Sequence, residues 1–215
     1  MRFLSTVLVV LVVAASALAD DDDDGVLDFS DPRCAVYVPA KLDQTARSWN
    51  QVLSFAGCVQ DSAIVRFDAG DDLADGVAKL AKQLAPAMAL YFAAIQHGPS
   101  SVQLRAAYEV GMAHVALVTR ARSSIHPPAD LRTNAAAARH YRELHERLEP
   151  ALAQYAETAW LVFSTIDRAA KADPALASDP VARYMIDTSQ RMLVMLADHA
   201  PAQVGTSDAA SGKHR

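Results

Sequence analysis

Five consecutive aspartates, Asp20 to Asp24, open the densest cluster of hard oxygen donors in the chain. With Gly25, Leu27, Asp28 and Asp31 they spell D-x-D-x-D-G-x-L-D-x-x-D over twelve positions. Carboxylates at alternate positions followed by a glycine let a backbone wrap tightly around a cation, and Ca²⁺ takes about six to eight such oxygens. The expected ligands are Asp20, Asp22, Asp24, Asp28 and Asp31. The plainer reading is a solvated acidic segment. Calcium is the one cofactor the sequence suggests.

The loop resembles the calcium loops of EF-hand-like proteins and thrombospondin type 3 repeats. The resemblance covers these twelve positions alone, with Asp31 where an EF-hand carries a bidentate Glu. It implies ion contacts from the carboxylates at positions one, three, five and twelve, a turn at Gly25, and an apolar contact from Leu27.

Other reactive side chains form weaker patterns. Arg120, Arg122, Arg132, Arg139, Arg142 and Arg147, with His126, His140 and His145, make 120–147 a basic stretch. Such a face can meet anionic envelope polymers or lipid head groups, or simply be solvated with i,i+4 pairs such as His145–Glu149 and Arg139–Glu143. His140 and His145 are five apart, which turns them away from each other on a helix. Met192, Met195 and His199 share a helical face and offer soft ligands, although methionine there usually fills core. There is no G-x-S-x-G elbow, no phosphate-binding glycine loop and no G-x-G-x-x-G. A formal charge of −5 argues against non-specific nucleic-acid binding.

Residues 1–19 read as a secretory signal peptide: Arg2 is the positive flank, Val7 to Val13 the apolar stretch, and Ala17-Leu18-Ala19 the cleavage signal. The uncharged run over 3–19 is 17 residues, short of the roughly 20 a spanning helix needs. No later segment spans a membrane without charges, so the mature chain is expected to be exported, periplasmic or extracellular, with no membrane-spanning segment. Export gives Cys34 and Cys58 a meaning: two thiols in an oxidising compartment pair. Their spacing of 24 closes a loop for roughly 3–4 kcal/mol of stabilisation.

Apolar spacing of three and four predicts helices and no strands. Segment 41–59 carries Leu42, Ala46, Trp49, Val52, Leu53 and Ala56, with Gly57-Cys58 near its end. Segment 71–96 carries Leu73, Val77, Leu80, Leu84, Met88, Tyr91 and Ile95, and His97-Gly98-Pro99 ends it. Segment 100–125 runs through Leu104, Ala107, Val110, then Ala113 or His114, Leu117 and Val118. A long segment over 130–171 is expected to be interrupted near Pro150. Ser178-Asp179-Pro180 starts a last helix through Val181, Tyr184, Thr188, Met192 and Met195. This predicts an all-α fold: an up-and-down antiparallel bundle of about five long helices over 41–199, with a helical solenoid as second choice. An irregular acidic segment (20–40) precedes it and a disordered tail (200–215) follows.

The pattern L-x-P-A-[ML]-A-x-Y occurs at 84–91 and again at 148–155, as a duplicated hairpin or as a chance alignment of Ala-rich helices. Prolines at Pro86 and Pro150 each remove a helical hydrogen bond. Two kinks at matching heights predict a pocket lined by Met88, Tyr91, Leu152 and Tyr155. The functional expectation is an exported, non-enzymatic binding or scaffold protein with a protein or envelope partner. The alternatives are a small-ligand or metal-binding bundle near Pro86 and Pro150, and an enzyme without a short motif. Raising Ca²⁺ to about millimolar levels is expected to increase the melting temperature of the mature protein, and Asp24→Ala with Asp28→Ala to abolish the increase; a melt indifferent to Ca²⁺ removes the loop as an ion site.

Overall fold

The apolar spacing of the sequence is realised as helices wherever the computed structural model describes the chain, residues 32–38, 45–66, 73–125 and 134–201. The expected leader, the acidic loop with Asp20, Asp22, Asp24, Asp28 and Asp31, His126, Arg132 and positions 202–215 lie outside the described residues. Five long helices are present: α1 (Ala46–Arg66), α2 (Leu73–His97), α3 (Ser100–Ser123), α4 (Ala135–Ala172) and α5 (Pro180–Met195). Short 3₁₀ turns occupy Ala35–Tyr37, Pro174–Ser178 and Ala197–His199, and no strand occurs among the described residues. Each helix packs on its sequential neighbour, giving the antiparallel up-and-down bundle. None of the described helices is long and apolar enough to cross a membrane.

The helix starts follow from side-chain chemistry. Thr45 Oγ1 accepts from the Ser48 amide at 3.3 Å ahead of α1. Asn134 caps α4 by accepting from the amides of Ala136 (2.9 Å) and Ala137 (3.2 Å). Asp179 caps α5 in the same way, with Pro180 fixing the first turn. Each such cap satisfies amides that otherwise lack a partner, for about 1 kcal/mol. The turn from α2 to α3 is only Gly98-Pro99. A β-carbon on Gly98 would sit 2.5 Å from the Ala94 carbonyl oxygen and 2.9 Å from Val102 Cγ1. Glycine is therefore what lets the two helices fold back so tightly.

Helix α3 is the centre of the bundle and touches all four of the others. Its sequence suits that place. Buried Ala106, Ala107, Val110, Gly111, Ala113, Leu117, Val118 and Ala121 spread around much of its circumference, the pattern of a helix enclosed on several sides. Small residues on it admit large ones opposite. The ring of Phe163 on α4, fully buried, comes within 2.6 Å of where a β-carbon on Gly111 would lie.

Two expectations about helix ends are corrected. Helix α1 does not end near Val59 but runs on to Arg66. Gln60, Ser62 and Ala63 are buried there, and packing outweighs the cost of about 1 kcal/mol for Gly57 inside a helix. Helix α4 is not interrupted near Pro150, nor α2 at Pro86: both run through their prolines, and α4 reaches 38 residues, about 57 Å at 1.5 Å per residue. Tertiary packing on both sides of each proline holds the helix together. Leu84, Met88 and Tyr91 around Pro86, and Leu148, Leu152 and Tyr155 around Pro150, are all buried. The two L-x-P-A-x-A-x-Y stretches therefore share an inward register. The first turns of α4 bury nothing before Leu148.

Cys34 and Cys58 form a disulfide with Cα atoms 5.6 Å apart. It ties the 32–38 segment to α1, and Arg33 Nη2 donates to Ser62 Oγ at 3.0 Å one helical turn further on.

Gly111→Ala tests the α3–α4 approach. Added helix propensity favours alanine by about 1 kcal/mol, but overpacking against a rigid ring costs about 1–3 kcal/mol. The expected result in urea unfolding is a lower midpoint, partly restored by adding Phe163→Leu.

Candidate functional site

Four places in the bundle combine chemistry with position, and three of them lie at helix–helix seams. The first is the α1–α2–α3 junction. Tyr91 on α2 is fully buried and its hydroxyl donates to Gln60 Oε1 on α1 at 3.0 Å. Burial pushes that hydroxyl well above its ordinary range, the charges of Glu109 and Asp61 add to the effect, and Arg105 opposes it. Arg105 on α3 donates from Nη1 to Asn50 Oδ1 at 3.0 Å and lies 3.9 Å from Glu109. Glu109 is itself raised, first by burial and then by Asp61, with Arg105 working against both. Arg105 to Asn50 ties α3 to α1 and Tyr91 to Gln60 ties α2 to α1, so these two bonds fix the register of three helices.

The second place is a hollow between α2, α3 and α4. Met88, Leu84, His114, Leu117 and Tyr155 line it, and its volume is about 10 Å³, at the lower limit of the ~10–15 Å³ that one water requires. His114 is the polar member of this wall. Its Nδ1–H donates to the Val110 carbonyl at 2.8 Å, which sets a proton on Nδ1. Its ring lies 6.2 Å from that of Tyr155, centroid to centroid. Burial holds the imidazole below its ordinary 6.5, while the bond to Val110 opposes the shift. Burial also raises the Tyr155 hydroxyl.

Of the four expected pocket residues, the structure brings Met88 and Tyr155 together on this wall. It turns Tyr91 toward Gln60 and buries Leu152 completely. His114 was visible in the sequence only as an alternative to Ala113 on the apolar face of α3. The signal for it was a polar ring at a core position.

The third place joins the far ends of α3 and α4. Arg122 grips Glu149 with two parallel bonds, Nε to Oε1 at 2.9 Å and Nη2 to Oε2 at 2.6 Å. The bond from Arg122 holds the Glu149 carboxyl below its usual range, and the nearby His199 and His145 add to that. Both side chains are about two-fifths exposed, so the pair contributes at most about 1 kcal/mol. Glu149 thus faces Arg122 across the seam, where an i,i+4 pair with His145 was expected. His145 Nε2 instead donates to the Ile125 carbonyl at 3.1 Å. Arg139, His140, Arg142 and Arg147 are exposed on the early turns of α4. Between α4 and α5, Asp167 takes Lys171 Nζ at 2.6 Å and Gln190 Nε2 at 3.0 Å. Burial alone would raise this acid, but the two donors hold it below its ordinary value.

The fourth place is the outer face of α5. The sequence periodicity pointed to Val181, Tyr184, Thr188, Met192 and Met195 as the inward stripe of this helix. The structure keeps Thr188 buried and packs Met192 partly against the core, but it also buries Met185, Ile186 and Ser189, and it leaves Val181 62%, Tyr184 60%, Val194 78% and Met195 72% exposed. Helix α5 carries two apolar stripes, and neighbouring α3 and α4 accept only one. Of the methionines on this helix, Met195 is exposed while Met192 packs against the core. Among the described residues no group of three or more His, Cys, Asp or Glu side chains stands ready to hold a metal ion.

His114 generates a pH prediction. Its folded value lies below 6.5, so the unfolded chain takes up the proton first. Its contribution to stability is full above about pH 6.5 and declines as the pH falls below that. The melting temperature is expected to drop between pH 7 and pH 5, and His114→Gln to flatten part of that drop.

No family model, no curated protein and no solved structure matches this chain, and its function is read from its own residues.

Proposed function

We propose that this chain is an exported, non-enzymatic binding or scaffold protein of the cell envelope, acting through its outer surface. One observation carries the reading. The hollow between α2, α3 and α4 has room for about one water, while large apolar side chains stand outside the bundle. They gather in two places: Val36, Tyr37 and Val38 beside the disulfide, and the outer face of α5. Apolar groups held out in water at defined positions are what a contact surface requires. The leader-like residues 1–19 and the Cys34–Cys58 disulfide support an oxidising destination. The acidic balance favours a protein or envelope partner over nucleic acid.

A small-ligand or metal-binding role draws on one feature, the meeting of Met88, His114 and Tyr155 in one hollow. Its size confines such an occupant to a water or a single ion.

The test is fractionation and crosslinking of the full chain in its native host. The expected result is a mature terminus at Asp20 in the envelope or medium. A specific crosslinked partner is expected to be lost on Val36→Ser with Val38→Ser, at unchanged melting temperature. A chain retained in the cytosol with its leader intact overturns the reading. So does native mass spectrometry showing a stoichiometric bound ion that the His114→Gln variant loses.

A further inference from the structure

We propose that the outer face of α5 is the seam of a two-fold homodimer in which α5 pairs antiparallel with α5 of a second copy. This deepens the surface reading by naming the occupant of one of its two apolar places.

The spacing comes first. Tyr184, Asp187, Arg191 and Val194, all exposed, follow one another at three, four and three residues, with Val181 and Met195 flanking them. That alternation is the repeat of helices that pack side by side along a seam. The bundle leaves both ends of this stripe in water: Val181 and Tyr184 at the start of α5, Val194 and Met195 at its end, each at least 60% exposed. A lone α-helix has no use for a second apolar stripe, and exposing one costs solubility.

The order of the chemistry along the stripe then selects the partner. It reads apolar, acid, base, apolar: Val181 and Tyr184, then Asp187, then Arg191, then Val194 and Met195. Asp187 and Arg191 are exposed, and among the described residues Asp187 makes no ion pair. Arg191 Nη2 donates to Thr188 Oγ1 at 3.0 Å, which holds the guanidinium along the stripe. A two-fold axis across the middle of α5 sets Val181 and Tyr184 against Met195 and Val194 of the second copy. The same axis brings Asp187 of each copy toward Arg191 of the other. A two-fold interface requires one patch to be complementary to itself, and this patch is. Parallel pairing fails the requirement, because it sets Asp187 against Asp187 and Arg191 against Arg191. With 16 residues, α5 offers a seam about 24 Å long. That places the contact at the small end of specific interfaces, below about 1,200 Å² in total, and makes the dimer reversible.

The experiment is sedimentation equilibrium of the mature, disulfide-intact chain from about 1 to 200 µM, spanning micromolar dissociation constants. A concentration-dependent monomer–dimer equilibrium is expected. Val181→Glu with Met195→Glu puts carboxylates opposite carboxylates across an antiparallel seam and is expected to weaken the dimer at least about ten-fold. Val181→Glu with Met195→Lys places opposite charges there and is expected to recover most of the affinity. Circular dichroism melts of both variants verify the fold, since both positions are exposed. Three results overturn the proposal: a monomer across the whole range, a dimer indifferent to both variants, or equal weakening by both. None of these touches the crosslink that depends on Val36 and Val38, so the surface reading stands or falls separately.

Discussion

The ring of Phe163 occupies space that any side chain on Gly111 would need, and the packing of α3 against α4 follows from that exclusion. Interiors are filled to crystal-like density, so a large group can enter only where a small one makes room. Helix α3 makes room repeatedly, with Ala106, Ala107, Gly111, Ala113 and Ala121 buried along it. Because α3 touches every other helix, its slenderness sets how close the whole bundle can draw. The Gly98 turn extends the same principle to the α2–α3 connection, where a bare backbone allows the reversal.

On this frame the polar groups act as stitches between helices. Tyr91 to Gln60 joins α2 to α1, Arg105 to Asn50 joins α3 to α1, Arg122 to Glu149 joins α3 to α4, and Gln190 to Asp167 joins α5 to α4. Dispersion and hydrophobic burial are indifferent to a small slide of one helix along another. A hydrogen bond is directional, and for the fully buried Tyr91–Gln60 pair leaving it unmade costs about 1–3 kcal/mol, less for the three part-buried bonds. The stitches therefore choose one register among several that the apolar faces alone would permit. His114 differs from them: its bond to Val110 stays within its own helix.

Much of the architecture was legible because helix signals are local. The Asp179-Pro180 start of α5 and the His97-Gly98-Pro99 stop of α2 needed only neighbouring residues, and the pairing of Cys34 with Cys58 needed only that the chain has two cysteines. What was misread required knowledge of the surroundings. Gly57 and Pro150 are breakers by propensity, yet both sit inside continuous helices because buried neighbours on either side hold the backbone. On α5 the repeat of apolar residues straddled the border between two stripes: Thr188 is buried and Met192 packs on the core, while Val181, Tyr184 and Met195 face out. Periodicity reports that a stripe exists and is silent on which of two stripes a neighbour covers. The candidate site was half legible: Met88 and Tyr155 meet, while His114 gave only the sign of a polar residue on an apolar face.

The disulfide enters α1 at Cys58, with twelve helical residues before it and eight after it. A mechanical load applied to the chain ahead of Cys34 would therefore reach the bundle at the waist of α1. It could not peel that helix away from a frayed end one turn at a time. Force arriving there is shared at once by Trp49, Val52 and Leu53 on one side and Ala63 on the other, all buried. Tension entering through Cys34 is thus carried by the middle of a packed helix rather than by its end.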